Sequence, residues 1–192
     1  MRHRPIVLLA LLVLASCSQE SPPKGPATDD AVAAIAMPER QLRTFLVRMT
    51  LGTHSGPMFL YDLGLERGCA ALGSAVDDAV TTHLPAWRQN LISAYRENVP
   101  AEELARAVQR SPRSAQRRLA DHIESIGRSM QSKSTNLLNQ AGTQVLDTLS
   151  KQAAQVDKST IDQGVRQTEL REAMRTKRIC SELLRQAEKV NG

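Results

Sequence analysis

Aromatic residues are almost missing from this chain: its 192 residues include two phenylalanines, two tyrosines and one tryptophan. Strands favour aromatic and β-branched side chains, and Val, Ile, Tyr and Trp are too scattered here to build a sheet. Histidine and cysteine are scarce as well, at four and three residues. There is no His-Glu-x-x-His, no histidine pair at i and i+4 and no Cys-x-x-Cys, so no metal or other cofactor is expected. A Gly-x-Ser-x-Gly elbow and a phosphate-cradling loop are lacking too. Ser21 and Lys24 spell Ser-x-x-Lys only with two prolines between them, a coincidence of a polar linker. Asp77 and Asp78 are adjacent, so on a helix they point to different sides and cannot flank a glycosidic bond. Long hydrophobic runs are missing as well. The apolar stretch at residues 6–14 is too short for a bilayer span, which needs about 20 such residues.

What remains is rich in Ala, Leu, Gln, Arg and Glu, a composition that favours helix almost throughout. Arg2 and Arg4 precede the apolar stretch, and Leu14-Ala15-Ser16-Cys17 follows it. A basic start, an apolar core and small residues are the parts of a secretory signal. Leu-Ala-Ser-Cys resembles the lipobox of bacterial lipoproteins, and that resemblance implies that Cys17 is diacylated, becomes residue one after cleavage and receives a third acyl chain. Ser18 then suits sorting to the outer membrane, with the protein facing the periplasm. Each buried CH₂ adds about 0.8 kcal/mol, so several acyl chains hold far more firmly than one. The other reading is an ordinary signal cut near Ala15-Ser16, which leaves Cys17 a plain thiol. Removing residues 1–16 lowers the formal charge from +5 to about +3, because only Arg2 and Arg4 are lost. The mature surface is mildly positive, which suits anionic lipid or an acidic protein, and no nucleic-acid partner is expected.

The expected organisation is a signal peptide at 1–16, the lipidated cysteine with a flexible linker at 17–37, and one helical domain at 38–192. Prolines, a glycine and polar residues at 18–30 cannot pack and read as a spacer. Leu42, Phe45, Leu46 and Met49 mark a helix from Pro38, broken at residues 53–57. A short apolar segment, 58–63, should be buried. Leu65, Cys69, Leu72, Val76 and Val80 share a helix face; Pro85 is expected to start a new helix carrying Trp87, Leu91 and Tyr95. Val99-Pro100 opens a short helix, with Glu102 and Glu103 at its positive end. Ser111-Pro112 reads as the start of the longest helix, with Leu119, Ile123, Ile126 and Met130, then Leu137, Ala141, Val145 and Leu149, interrupted near residues 132–134. A final helix is expected from Ser159-Thr160 to about Val190. The fold class is therefore all-α: a single irregular helical bundle.

Three features carry possible function besides Cys17. Cys69 and Cys180 both lie on apolar stripes, and an oxidising compartment would let them join. The bridge would clamp an early helix to the last one and constrain the unfolded chain by roughly 4–5 kcal/mol; two separate buried thiols are the alternative. Arg106, Arg110, Arg113 and Arg117, with Arg118 alongside, recur at helical spacing and form a basic stripe for lipid phosphate or an acidic protein if the helix is continuous. A solvated face paired with Glu102, Glu103 and Asp121 explains the same spacing. His83, near Asp78, Thr81 and Thr82, is the remaining polar constellation, a pattern that more often means a helix end with satisfied hydrogen bonds.

Tyr95, then Val99-Pro100-Ala101-Glu102-Glu103-Leu104, then Arg110-Ser111-Pro112 resemble the middle of the domain of unknown function 2059 family, and Met49-Thr50-Leu51-Gly52-Thr53 resembles its start. The resemblance covers roughly residues 40–155; Val108-Gln109 replaces that family's aromatic pair, and Ser114 stands where glycine is usual. It implies an exported helical protein and transfers no catalytic residue. The expectation is a non-enzymatic, lipid-anchored envelope protein that binds a protein partner. One such job is immunity, in which the protein neutralises an envelope-acting antibacterial toxin. The alternatives are a structural or assembly factor of an envelope complex, a lipid-binding module, and a cell-wall enzyme using residues such as Asp62, Asp78 or His83.

Overall fold

Two long helices carry the architecture. The computed structural model describes residues 25–157, 159, 161–176 and 178–189, and among them are nine α-helices and no strand. Cys17 and the rest of the lipobox lie outside these residues. Helix α4 (Leu65–Asn98) and helix α7 (Ile123–Ala154) have 34 and 32 residues, each about 50 Å long at 1.5 Å per residue. They run antiparallel: His83 meets Gln144, Asn90 donates to Ser134 Oγ and Lys133 O, and Glu97 pairs with Lys133. Leu72, Val76, Val80 and Leu91 on one helix and Ala141, Val145 and Leu149 on the other belong to one buried core. Helix α2 (Pro38–Gly52) packs on both, with Leu42, Leu46 and Val47 fully buried and Met49 against Gly142.

The ordered core begins earlier than expected. Helix α1 (Asp29–Ala36) falls inside the stretch read as linker. Thr28 caps it by accepting from Ala31 N–H, Asp29 and Asp30 suit its positive end, and Val32, Ile35 and Ala36 are buried. Arg96 donates to Asp29 and to the Ala27 carbonyl, and Arg88 pairs with Asp30, so α1 is held on the C-terminal half of α4. Met37 then takes a left-handed conformation, φ 51°, and Pro38 starts α2. Helix α3 (Ser55–Leu63) packs on α4. Leu60 and Leu63 are buried there, whereas Met58, expected inside, is half exposed.

Three expected breaks fall elsewhere. Pro85 does not divide α4; its side chain is exposed, and burial of Val80 and Trp87 on either side holds the helix together despite the missing N–H. Residues 132–134 do not interrupt α7, because Ser134 is buried and bonded to Asn90, not solvated. The chain does break between Arg118 and Ile123: helix α5 (Ala101–Ala107), helix α6 (Pro112–Arg118) and a 3-10 turn (Ala120–His122) connect α4 to α7. That turn rotates Ile123 off the apolar row and leaves it 47% exposed. Finally, the terminal helix is two helices. Asp162 itself caps α8 (Gln163–Arg175), accepting from Val165 N–H, and α9 (Ser181–Lys189) follows Cys180, which sits at φ 46°.

Candidate functional site

Cys69 and Cys180 are joined in a disulfide, with Cα atoms 5.3 Å apart and a sequence separation of 111. The bond ties the α8–α9 arm to the N-terminal part of α4. Arg166 supports the same joint by donating to the Tyr61 and Asp62 carbonyls at 2.8 Å each. An open groove of about 850 Å³ runs beside it and carries charges of both signs, among them Arg67, Glu169, Glu172 and Arg178. Charge alternation of that kind favours no ligand of either sign.

A second groove is more selective. Helix geometry puts residues four apart on one face, so α2 presents two neighbouring rows: Arg40, Thr44 and Arg48, and Gln41, Phe45 and Met49. With Met37, with Trp87 of α4 and with Gln116 of α6 they line an open groove of about 730 Å³, within the size range of ligand sites. Phe45, expected in the core, is 43% exposed, and Trp87 is 5% exposed. No Asp or Glu is among the nine described lining residues. Arg43, pointing elsewhere on α2, pairs with Asp77 and Glu39. Arg40 instead has the Met37 sulfur as its partner at 3.7 Å, and a thioether is a weak acceptor. Gln41 and Gln116 donate to the Ala36 and Ile35 carbonyls, which fixes the groove wall to the end of α1. Two polar atoms beneath the floor, Thr44 Oγ1 and Trp87 Nε1, have no hydrogen-bond partner. Leaving such a buried group unsatisfied costs about 1–3 kcal/mol.

The arginines expected to form one stripe are split between elements. Arg106 lies on α5 and pairs with Glu102 at 3.9 Å, Arg110 lies in the turn that follows, and Arg113, Arg117 and Arg118 lie on α6. Ser111-Pro112 ends the helical register that the stripe required. Glu103 meets His122 at 3.0 Å, so one of the carboxylates expected to balance the arginines is engaged elsewhere. His83 bonds Gln144, Asp78 is exposed on α4, and Asp62 lies in the last turn of α3. Burial raises the Tyr95 hydroxyl above the usual tyrosine range, which keeps it neutral. The described residues hold no cluster of three His, Cys, Asp or Glu suited to a metal. No described helix is long and apolar enough to cross a membrane.

Sequence reading missed the groove because Phe45, Met49 and Trp87 satisfy the same spacing as core residues. The available signal was the second row, Arg40-Thr44-Arg48, at i, i+4 and i+8 on one turn-matched face. Compared with known proteins, the chain matches no family model, no curated protein and no solved structure.

Proposed function

We propose that this is a lipid-anchored envelope protein that binds another protein and performs no chemistry of its own. Leu14-Ala15-Ser16-Cys17 supports the anchor, with Cys17 as the acylated residue and the outer membrane, periplasmic side, as the location. The observation that carries the binding role is the α2 groove, where an exposed Phe45, a buried Trp87 and Arg40 lie together. Aromatic residues and arginine supply most of the binding energy at protein interfaces. Neutralising an envelope-acting toxin delivered by a neighbouring cell is the form of this role that a small anchored domain fits.

The test places a photo-crosslinking amino acid at Phe45, and separately at exposed Arg113, in the anchored protein in living cells. A specific adduct at position 45 with a toxin during attack by sibling cells supports the reading. An adduct with a resident envelope component makes it an assembly factor. Deletion that leaves cells as resistant to sibling attack as before removes the immunity role, and no adduct at either position removes protein binding.

A further inference from the structure

We infer that the α2 groove receives an acidic peptide segment of the partner, with a carboxylate on Arg40 and a neighbouring apolar side chain on Phe45 and Met49. This inference rests on the protein-binding reading above and narrows it to a site and a chemistry. Its first support is charge. Among the described lining residues Arg40 is a cation and none is an Asp or Glu, so a basic segment would meet its own sign there. The second support is Arg40 itself. Arg43, Arg88 and Arg96 each pair with an Asp or Glu, whereas among the described residues half-buried Arg40 has only a thioether as partner. A guanidinium stays charged at any working pH and binds carboxylate through two parallel hydrogen bonds.

The third support is the pair of unpartnered atoms under the floor. An indole N–H only donates, and the buried Trp87 Nε1 has no acceptor among the described residues, so an incoming acceptor would complete it. Thr44 stands one turn from Arg40 on the same helix, so one carboxylate or peptide carbonyl could be shared between them. Met37 and Met49 line the same groove, and their thioether chains are flexible. The groove is an open trough on the surface, which suits an extended or helical peptide better than an acyl chain that requires enclosure on most sides.

The experiment uses the full anchored chain in neutral phosphatidylcholine vesicles and selects from phage-displayed random peptides. Enriched peptides lacking tryptophan are then titrated while emission is read from Trp87, the chain's one tryptophan. The expected result is a consensus of Asp or Glu beside Leu, Ile or Phe, and a saturable shift in emission. Arg40→Gln should weaken binding about tenfold or more, since it removes a charge-assisted contact, while Arg113→Gln should leave it unchanged. Far-UV circular dichroism of Arg40→Gln, matching the parent, separates lost binding from lost fold. A neutral or basic consensus, no enrichment, or equal affinity after Arg40→Gln overturns the inference. So does displacement of the peptide by dodecanoate with the same emission shift, which would assign the groove to lipid. A partner crosslinked in cells alongside any of these results keeps the broader reading and discards only the acidic segment.

Discussion

Reducing the Cys69–Cys180 bond should do two separable things, and the structure sets the size of each. The bridge closes a loop of 111 residues. In the chain-entropy account, a loop of that length lowers the stability of the unfolded ensemble by about 5 kcal/mol. Against a total of roughly 5–15 kcal/mol for a domain, that is a large share. Reduced protein should therefore melt roughly 10–15 °C lower, taking about 3 °C per kcal/mol for a chain of this size. The second effect is local. Helix α8 buries Ala173 but exposes Val165 and Met174, and its described polar ties to α3 are Arg166 on the Tyr61 and Asp62 carbonyls and Gln163 O accepting from Tyr61. Helix α9 adds the packing of Leu183 near Gly73. Without the bond, this arm should open at lower cost than the α2–α4–α7 core.

The assay is guanidinium denaturation and amide hydrogen exchange of oxidised and dithiothreitol-reduced protein, with the redox state confirmed by non-reducing mass spectrometry. Amides of α8 and α9 should lose protection on reduction while the middle of α4 and α7 stays protected below the denaturation midpoint. Unfolding free energies within about 1 kcal/mol of each other would refute the loop-entropy reasoning. Unchanged protection in α8 and α9 would show that packing, not the bond, holds the arm.

Glycine substitutions should split sharply. A Cβ on Gly56 would lie 2.0 Å from the Thr50 carbonyl oxygen, which is backbone and cannot yield, so Gly56→Ala should cost at least about 2–3 kcal/mol by thermal denaturation. A Cβ on Gly142 meets the methyl and sulfur of Met49, the far end of a flexible chain, so Gly142→Ala should fall within about 1 kcal/mol of the parent. Pro85→Ala should stabilise by about 1–3 kcal/mol, because it restores a donor inside α4 at an exposed position; a loss of stability would mean that the proline shapes the helix. Glu97 is held below the usual glutamate range by hydrogen bonds from Ser93 and Lys133, by the Lys133 charge and by Ser129. A depressed carboxylate contributes stability above its unfolded pKa, so this contribution should be complete at neutral pH and fade as pH falls below 4.5. Carboxyl NMR should show Glu97 titrating higher in Ser93→Ala; no movement would reject the assignment.

The all-α class, the α2 and α5 starts and the Cys69–Cys180 pairing were legible because each follows from local chemistry: period, cap, proline at a first turn, or two thiols on apolar stripes. The misplaced boundaries share one cause. Pro85 and the polar run at 132–134 break a helix only when nothing outside the helix restores what they remove, and that information is tertiary. Trp87, Leu91 and Ser134 are buried against other elements, so packing outweighs a cost of about 3 kcal/mol for an interior proline. Conversely, residues 118–123 contain nothing that sequence treats as a breaker, yet the chain turns there to bring His122 to Glu103. Helix α1 was hidden for a compositional reason: Ala31, Ala33, Ala34 and Ala36 carry too little apolar surface to stand out from a linker.

The same limit explains why the groove was not legible in the sequence. A catalytic centre announces itself in sequence because its chemistry demands particular residue types, whereas a binding surface demands only shape, polarity and exposure. Phe45 and Leu46 are adjacent and both apolar; one is 43% exposed and the other fully buried, and the difference is set by where α4 and α6 lie. Arg40 and Arg43 are three residues apart, yet one finds Asp77 and Glu39 and the other finds Met37. What distinguishes the members of each pair is their partners, not their type. A function carried by such differences can be read only after folding has assigned the partners. For that reason Arg40→Gln, with its ion-paired neighbour Arg43 left intact, is the sharper probe of the proposed binding role than any substitution at Arg106, Arg110, Arg113, Arg117 or Arg118.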